Sequence, residues 1–107
     1  METKIYALAD ILINSNSFPW NFALYLPFDE KWVADTRCAV LDVRECGKDE
    51  NDLPFAKNNR LEYVIGMQQI QSIVNNAKNQ KIDVEIDLLL EAFLFYYDND
   101  AFISFKE

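Results

Sequence analysis

The chain has 107 residues, of which 50% are hydrophobic and 26% charged, and its 18 acidic and 10 basic side chains give a net charge of −8. This composition excludes a disordered acidic tail, and the charge disfavours nucleic acid and anionic membranes, whose recognition depends on clustered Lys and Arg. We expect one globular domain, residues 1–107, with a charge that suits a basic protein partner.

The first half of the sequence predicts one short helix and two strands. Leu8–Asn14 (LADILIN) has apolar residues at helical spacing, and the turn-forming sequence SNSFP follows it. The segments 22–26 (FALYL) and 37–43 (RCAVLDV) are short, apolar and bounded by breakers, so both are predicted strands. The polar segment 45–59 contains glycine and proline and predicts a mobile loop.

The next segment predicts a long amphipathic helix. Residues 61–66 (LEYVIG) fit either a third strand or the start of that helix. From Met67 to about Asn79 the apolar side chains form one helical stripe, which consists of Met67, Ile70, Ile73, Val74 and Ala77.

A second long helix is predicted from an N-cap at Asp83 to about Tyr97. Nearly every position after Asp87 is apolar, so this helix is expected to be central and buried on several sides. The sequence AFISF at 101–105 predicts a short closing strand after a turn. Together these elements predict an α+β fold, with a small, mostly antiparallel sheet packed against two long helices and one short N-terminal helix.

The segment from Leu88 to Phe105 is the most apolar in the chain. From Ile82 to Phe105 the only charged residues are six acids: Asp83, Glu85, Asp87, Glu91, Asp98 and Asp100. Three of them (Asp83, Asp87 and Glu91) recur every four residues, and Asp98 lies seven residues further on. Like charges at this spacing destabilise a helix by a few tenths of a kcal/mol per pair. The stripe therefore indicates either a solvated face, paired with bases elsewhere in the fold, or a docking surface for a cationic partner.

Tryptophan supplies one further candidate contact, because it is enriched among the residues that dominate interface energies. Trp32 lies in the polar stretch DEKWVADT and is predicted to contact a partner. Trp20, which flanks the first predicted strand, is assigned to the core instead.

Catalytic signatures are absent from the sequence. There is no histidine for a nucleophile system or a zinc site, and two glycines are too few for a phosphate-binding loop. We expect a protein that is not an enzyme and has no cofactor and no metal. The N-terminus does not resemble a signal peptide, and Cys38 and Cys46 are expected to be reduced, so a cytoplasmic location is predicted.

In size, acidity and lack of catalytic residues, the whole chain resembles the immunity proteins of bacterial toxin–immunity systems, including contact-dependent growth inhibition. The resemblance concerns overall character and rests on no shared motif. It implies a stoichiometric inhibitor of a cognate toxin, often a basic nuclease whose anion-binding site an acidic stripe would occupy. The alternatives are a phage-type inhibitor or nucleic-acid mimic, a small housekeeping adaptor, or a small enzyme that uses carboxylates.

Overall fold

The computed structural model describes residues 4–42 and 54–104. The elements follow in the order β1 (Tyr6–Ala7), α1 (Leu8–Ile13), β2 (Ala23–Pro27), β3 (Arg37–Leu41), α2 (Pro54–Asn58), β4 (Leu61–Gly66), α3 (Met67–Gln80) and α4 (Ile86–Asn99), with a 3-10 turn at Ser15–Ser17. The four strands form one sheet in the order β1-β3-β2-β4, and all neighbouring strands are antiparallel. The predicted α+β class is confirmed.

The sheet is covered on both faces, which explains why β2 is buried along its whole length. Leu24 and Leu26 point to a large core that also contains the apolar sides of α1, α3 and α4. The alternate residues Ala23 and Tyr25 point to a smaller core that includes Ala56 of α2. Since side chains alternate across a strand, a strand between two apolar layers has a continuous apolar sequence.

The apolar stripe predicted for α3 is confirmed, and all five of its residues are buried. In contrast, α4 is buried only along a narrow stripe, formed by Leu89, Ala92 and Phe93. The prediction that α4 is central and buried on several sides is wrong, because its apolar residues surround the helix while α1 and α3 cover one side. The remaining apolar residues of α4 are half-buried or exposed.

The boundaries of α4 also differ from the prediction. The N-cap position is Glu85, with no side-chain cap, while Asp83 lies in the preceding turn. The helix continues to Asn99, and residues 101–104 form no strand, so the predicted closing strand is wrong over these residues. Phe105 lies outside the described residues.

Three local differences concern the rest of the chain. Pro54–Asn58 forms α2 and not a loop, because Phe55 and Ala56 pack on the smaller core; residues 45–53 of the predicted loop lie outside the described residues. Leu61–Gly66 is a strand, which decides between the two predicted alternatives. The two-residue strand β1 was not predicted, since Tyr6 and Ala7 are too short a segment to show a strand pattern.

We expect the buried stripe of α4 to carry its stability. Phe93 is fully buried and Phe95, two residues later, is 37% exposed. The substitution Phe93→Ala should lower the free energy of unfolding by about 3–5 kcal/mol, as truncation of a buried aromatic does. Phe95→Ala is the matched control and should cost about 1 kcal/mol or less. Chemical denaturation of both variants tests this, and equal losses would contradict the one-sided burial of α4.

Cys38 is a free, buried cysteine, whereas Cys46 lies outside the described residues. Burial, with a smaller contribution from the negative charge of Asp10, raises the pKa of the Cys38 thiol to about 12. Because the thiolate is the reactive form, the native thiol should resist iodoacetamide at pH 8. In a Cys46→Ser variant, mass spectrometry should find labelling at Cys38 only after denaturation. Rapid labelling of the native variant would show that this part of the core opens readily.

Candidate functional site

Three of the predicted acidic residues line one groove on the solvent side of α4. Asp87, Glu91 and Asp98 border a depression of about 360 Å³, which we call the α4 groove. From Asp87 to Asp98 the helix rises about 16 Å, or roughly three turns. The groove thus extends along about three turns of α4.

The floor of the α4 groove is apolar. It is formed by Leu90, Leu94 and Phe95 of α4 together with Ile103 from the segment after the helix. Leu90 and Leu94 also pack inward against the main core, so the same side chains support the fold and face the groove. Because the core fixes these side chains, little conformational entropy remains to be lost when a partner covers them.

The end of α4 is arranged so that the following segment reaches the groove, where Ile103 lines it. Asp100 adopts the left-handed conformation (φ 52°), and its backbone N–H donates to Tyr96 O at 2.7 Å. Aspartate tolerates this conformation better than most residues do. The chain then reverses, and the Gln80 side-chain amide donates to Ile103 O at 2.8 Å. This hydrogen bond links the segment after α4 to the end of α3.

The acids of the groove form no ion pair with the residues that the structure describes. Among residues 4–42 and 54–104, no Lys or Arg lines the groove. Within the part of the chain that the structure describes, the single ion pair joins Arg37 to Glu30 at 3.3 Å. Pairing of the stripe with Lys78, Lys81 or Arg60, the alternative left open by the sequence, does not occur among these residues. The negative charge of the groove therefore faces solvent.

The structure separates the two other predicted contact residues from the groove. Asp83 is exposed, but it lies in the turn before α4 and does not line the groove. Trp32 is half-buried and does not line the groove; its ring centroid lies 6.0 Å from that of Phe93 and 4.9 Å from that of Tyr97. Its indole N–H donates to Pro27 O at 2.7 Å. A role for Asp83 or Trp32 in partner binding stays a prediction.

Trp20 is 64% exposed, so its assignment to the core is wrong. It follows a proline in the turn that leads into β2, and Phe18, two residues earlier, takes the buried position instead. Apolar character alone does not distinguish the two aromatic residues of this segment.

The apolar floor of the groove is the part of the site that sequence reasoning missed. Leu90 and Leu94 were assigned to an all-round buried helix, whereas they lie between the core and solvent. A signal was present in the sequence, because the pairs Asp87/Glu91 and Leu90/Leu94 share the same four-residue spacing. Two parallel rows of this kind lie side by side on one face of a helix.

The chain belongs to a protein family described as a domain of unknown function, DUF7716, whose family model matches residues 5–105. No curated protein and no solved structure matches the chain significantly. The family assignment thus carries no activity.

Among residues 4–42 and 54–104, no helix has both the length and the apolar character that crossing a membrane requires.

Proposed function

We propose that this protein is a non-catalytic binding protein that receives a basic amphipathic helix of a partner protein in the α4 groove. The observation that carries the proposal is the combination of three acids with an apolar floor in one groove, where no described residue supplies a basic side chain. Amphipathic helices bind hydrophobic grooves through residues spaced at i, i+3, i+4 and i+7. Lys or Arg beside those residues would meet Asp87, Glu91 and Asp98.

The partner that we favour is a basic toxin domain, which would make this chain an immunity protein acting in the cytoplasm. The resemblance to immunity proteins in size, charge and lack of catalytic residues supports this choice, as does the uncompensated charge of the groove. Complementary charge accelerates the encounter of two proteins and rejects partners of the wrong sign. Rapid and selective capture is what neutralising a toxin requires.

The apolar floor favours protein docking over mimicry of a nucleic acid. Interfaces built for nucleic acid are polar and strongly charged. Leu90, Leu94 and Phe95 have no counterpart in a phosphate backbone, whereas they match the apolar face of a helix. A phage-type inhibitor or a nucleic-acid mimic is therefore the second candidate, and it predicts binding that depends on the acids alone.

Charge reversal in the groove should weaken binding and leave the fold intact. In Glu91→Lys the new cation lies one helical turn from Asp87, so an unfavourable like-charge pair becomes a favourable one. The free energy of unfolding should change by less than about 1 kcal/mol. Affinity for the basic partner should fall at least tenfold, since a cation would then face a cationic surface. Asp35→Lys is the matched control, because Asp35 is exposed and the substitution changes the net charge equally outside the groove.

The experiment co-expresses this chain with the product of the neighbouring gene and measures rescue of growth, co-purification, affinity and melting temperature. We expect rescue and fixed stoichiometry for the natural sequence, and loss of both for Glu91→Lys but not for Asp35→Lys. If both variants lost rescue and co-purification equally, the result would contradict docking in the groove. Binding would then depend only on the net charge of the protein. If no partner is retained and a hydrolase activity follows the pure protein, the binding proposal is wrong.

A leucine variant separates the two candidate functions. Leu94→Ala should weaken binding of a helix that rests on the floor, after correction for any loss of stability seen in its melting curve. A nucleic-acid mimic would tolerate the same change, because its contacts are made by carboxylates.

A further inference from the structure

A second hollow, to which α4 contributes only Tyr97, is lined mainly by aromatic rings and carboxylates. Its volume is about 250 Å³, and its lining includes Phe28, Trp32, Tyr63, Tyr97, Glu30 and Glu62. We call it the aromatic cavity. It lies beside β4, the strand at one edge of the sheet, and near the end of β2. The α4 groove and the aromatic cavity have no lining residue in common.

The rings around the aromatic cavity are unusually exposed for their size. Phe28, Tyr63 and Tyr97 are 63%, 54% and 50% exposed, respectively. Large aromatic side chains are normally buried. The three rings around this hollow instead leave much of their apolar surface in contact with solvent. A ligand that covers these rings would bury that surface.

The walls of the cavity are held in place by contacts behind them. Trp32 is fixed by its hydrogen bond to Pro27 O and by edge contact with Tyr97. Tyr63 packs edge-on against the buried Tyr25, with ring centroids 5.9 Å apart. A β-bulge at this point of β4 contributes to the arrangement, because Tyr25 pairs with Tyr63 while Leu24 pairs with Ile65, which leaves Val64 as an extra residue.

The two carboxylates of the cavity differ in how they are compensated. Glu30 forms the ion pair with Arg37, whose guanidinium also donates to Asn59 O. Glu62 is exposed and forms no ion pair with any residue in the described parts of the chain. Among the described residues, the cavity therefore presents one uncompensated negative charge beside several aromatic rings.

We infer that the aromatic cavity binds the guanidinium group of an arginine side chain on a partner protein. Cations are attracted to the faces of aromatic rings, and a planar guanidinium both stacks on rings and pairs with a carboxylate. Pockets for drug-sized ligands occupy about 300–1,000 Å³, so a hollow of about 250 Å³ fits a single side chain. Phosphate-bearing ligands are disfavoured because the uncompensated carboxylate of Glu62 would repel them.

Guanidinium is favoured over a lysine ammonium for a physical reason. An ammonium ion is compact and strongly hydrated, so it covers less of a flat aromatic wall than a guanidinium does. The flat guanidinium is more weakly hydrated and covers more ring surface, which suits a hollow with exposed Tyr63 and Tyr97. This inference does not rest on the function proposed for the α4 groove, since it concerns different residues and a different ligand group.

The test is a titration with N-acetylarginine amide, with the neutral isostere N-acetylcitrulline amide as its control. In a Trp20→Phe background Trp32 is the single tryptophan, so its fluorescence reports on the cavity, and amide resonances of β4 provide a second readout. We expect saturable binding of the arginine derivative in the millimolar range and at least tenfold weaker binding of the citrulline derivative. Glu62→Gln should weaken arginine binding at least fivefold.

Asp83→Asn removes one negative charge outside the cavity and should change arginine binding less than twofold. Equal binding of arginine and citrulline derivatives would overturn the inference, as would equal effects of Glu62→Gln and Asp83→Asn. Tighter binding of tetramethylammonium than of the arginine derivative would assign the cavity to a quaternary ammonium ion and overturn the guanidinium assignment. A negative result in this titration would not contradict the function proposed for the α4 groove, because the titration probes none of the residues that line it.

Discussion

The attachment of α4 to the core by one narrow stripe determines the rest of the molecular surface. Leu89, Ala92 and Phe93 are buried against α1 and α3, and the remainder of this very apolar helix faces outward. A helix that is apolar nearly all round needs cover on several sides, and the described fold covers one. The exposed sides become the floor of the α4 groove and, through Tyr97, part of the aromatic cavity. Both candidate sites therefore arise from the same incomplete burial.

Charge and apolar surface act together in this arrangement. An exposed apolar groove without charge would favour indiscriminate association, whereas acids beside it reject partners that carry negative charge. The stripe lowers helix stability slightly through like-charge repulsion, since no base compensates it within the described residues. The same carboxylates that keep a free α4 hydrated are positioned to contact a basic partner. Stability and recognition thus depend on the same residues.

The sequence predicted an element correctly where a local pattern of apolar residues determined it. The prediction failed where the outcome depended on how the elements pack against one another. The stripe of α3 followed from its helical periodicity, and the strands β2 and β3 followed from short apolar segments bounded by breakers. For α4, the apolar composition indicated burial. It could not show that neighbouring elements pack on one side only, because the packing of a helix depends on the tertiary structure. The N-cap at Asp83 failed for a similar reason: several acids precede the helix, and sequence alone does not select Glu85. Of the candidate site, the acids were predictable and the apolar floor was not.

The most direct test of the central claim is hydroxyl-radical footprinting of the protein alone and with its basic partner bound. If the partner binds in the α4 groove, it covers the floor of the groove. Oxidation of Phe95, Leu94 and Ile103 should then fall sharply in the complex. Trp20 and Ile13, which are 64% and 52% exposed in other parts of the fold, should be oxidised at unchanged rates. Unchanged oxidation of the floor residues in a stable complex, with protection elsewhere, would contradict the account and show that the outer face of α4 is not the binding surface.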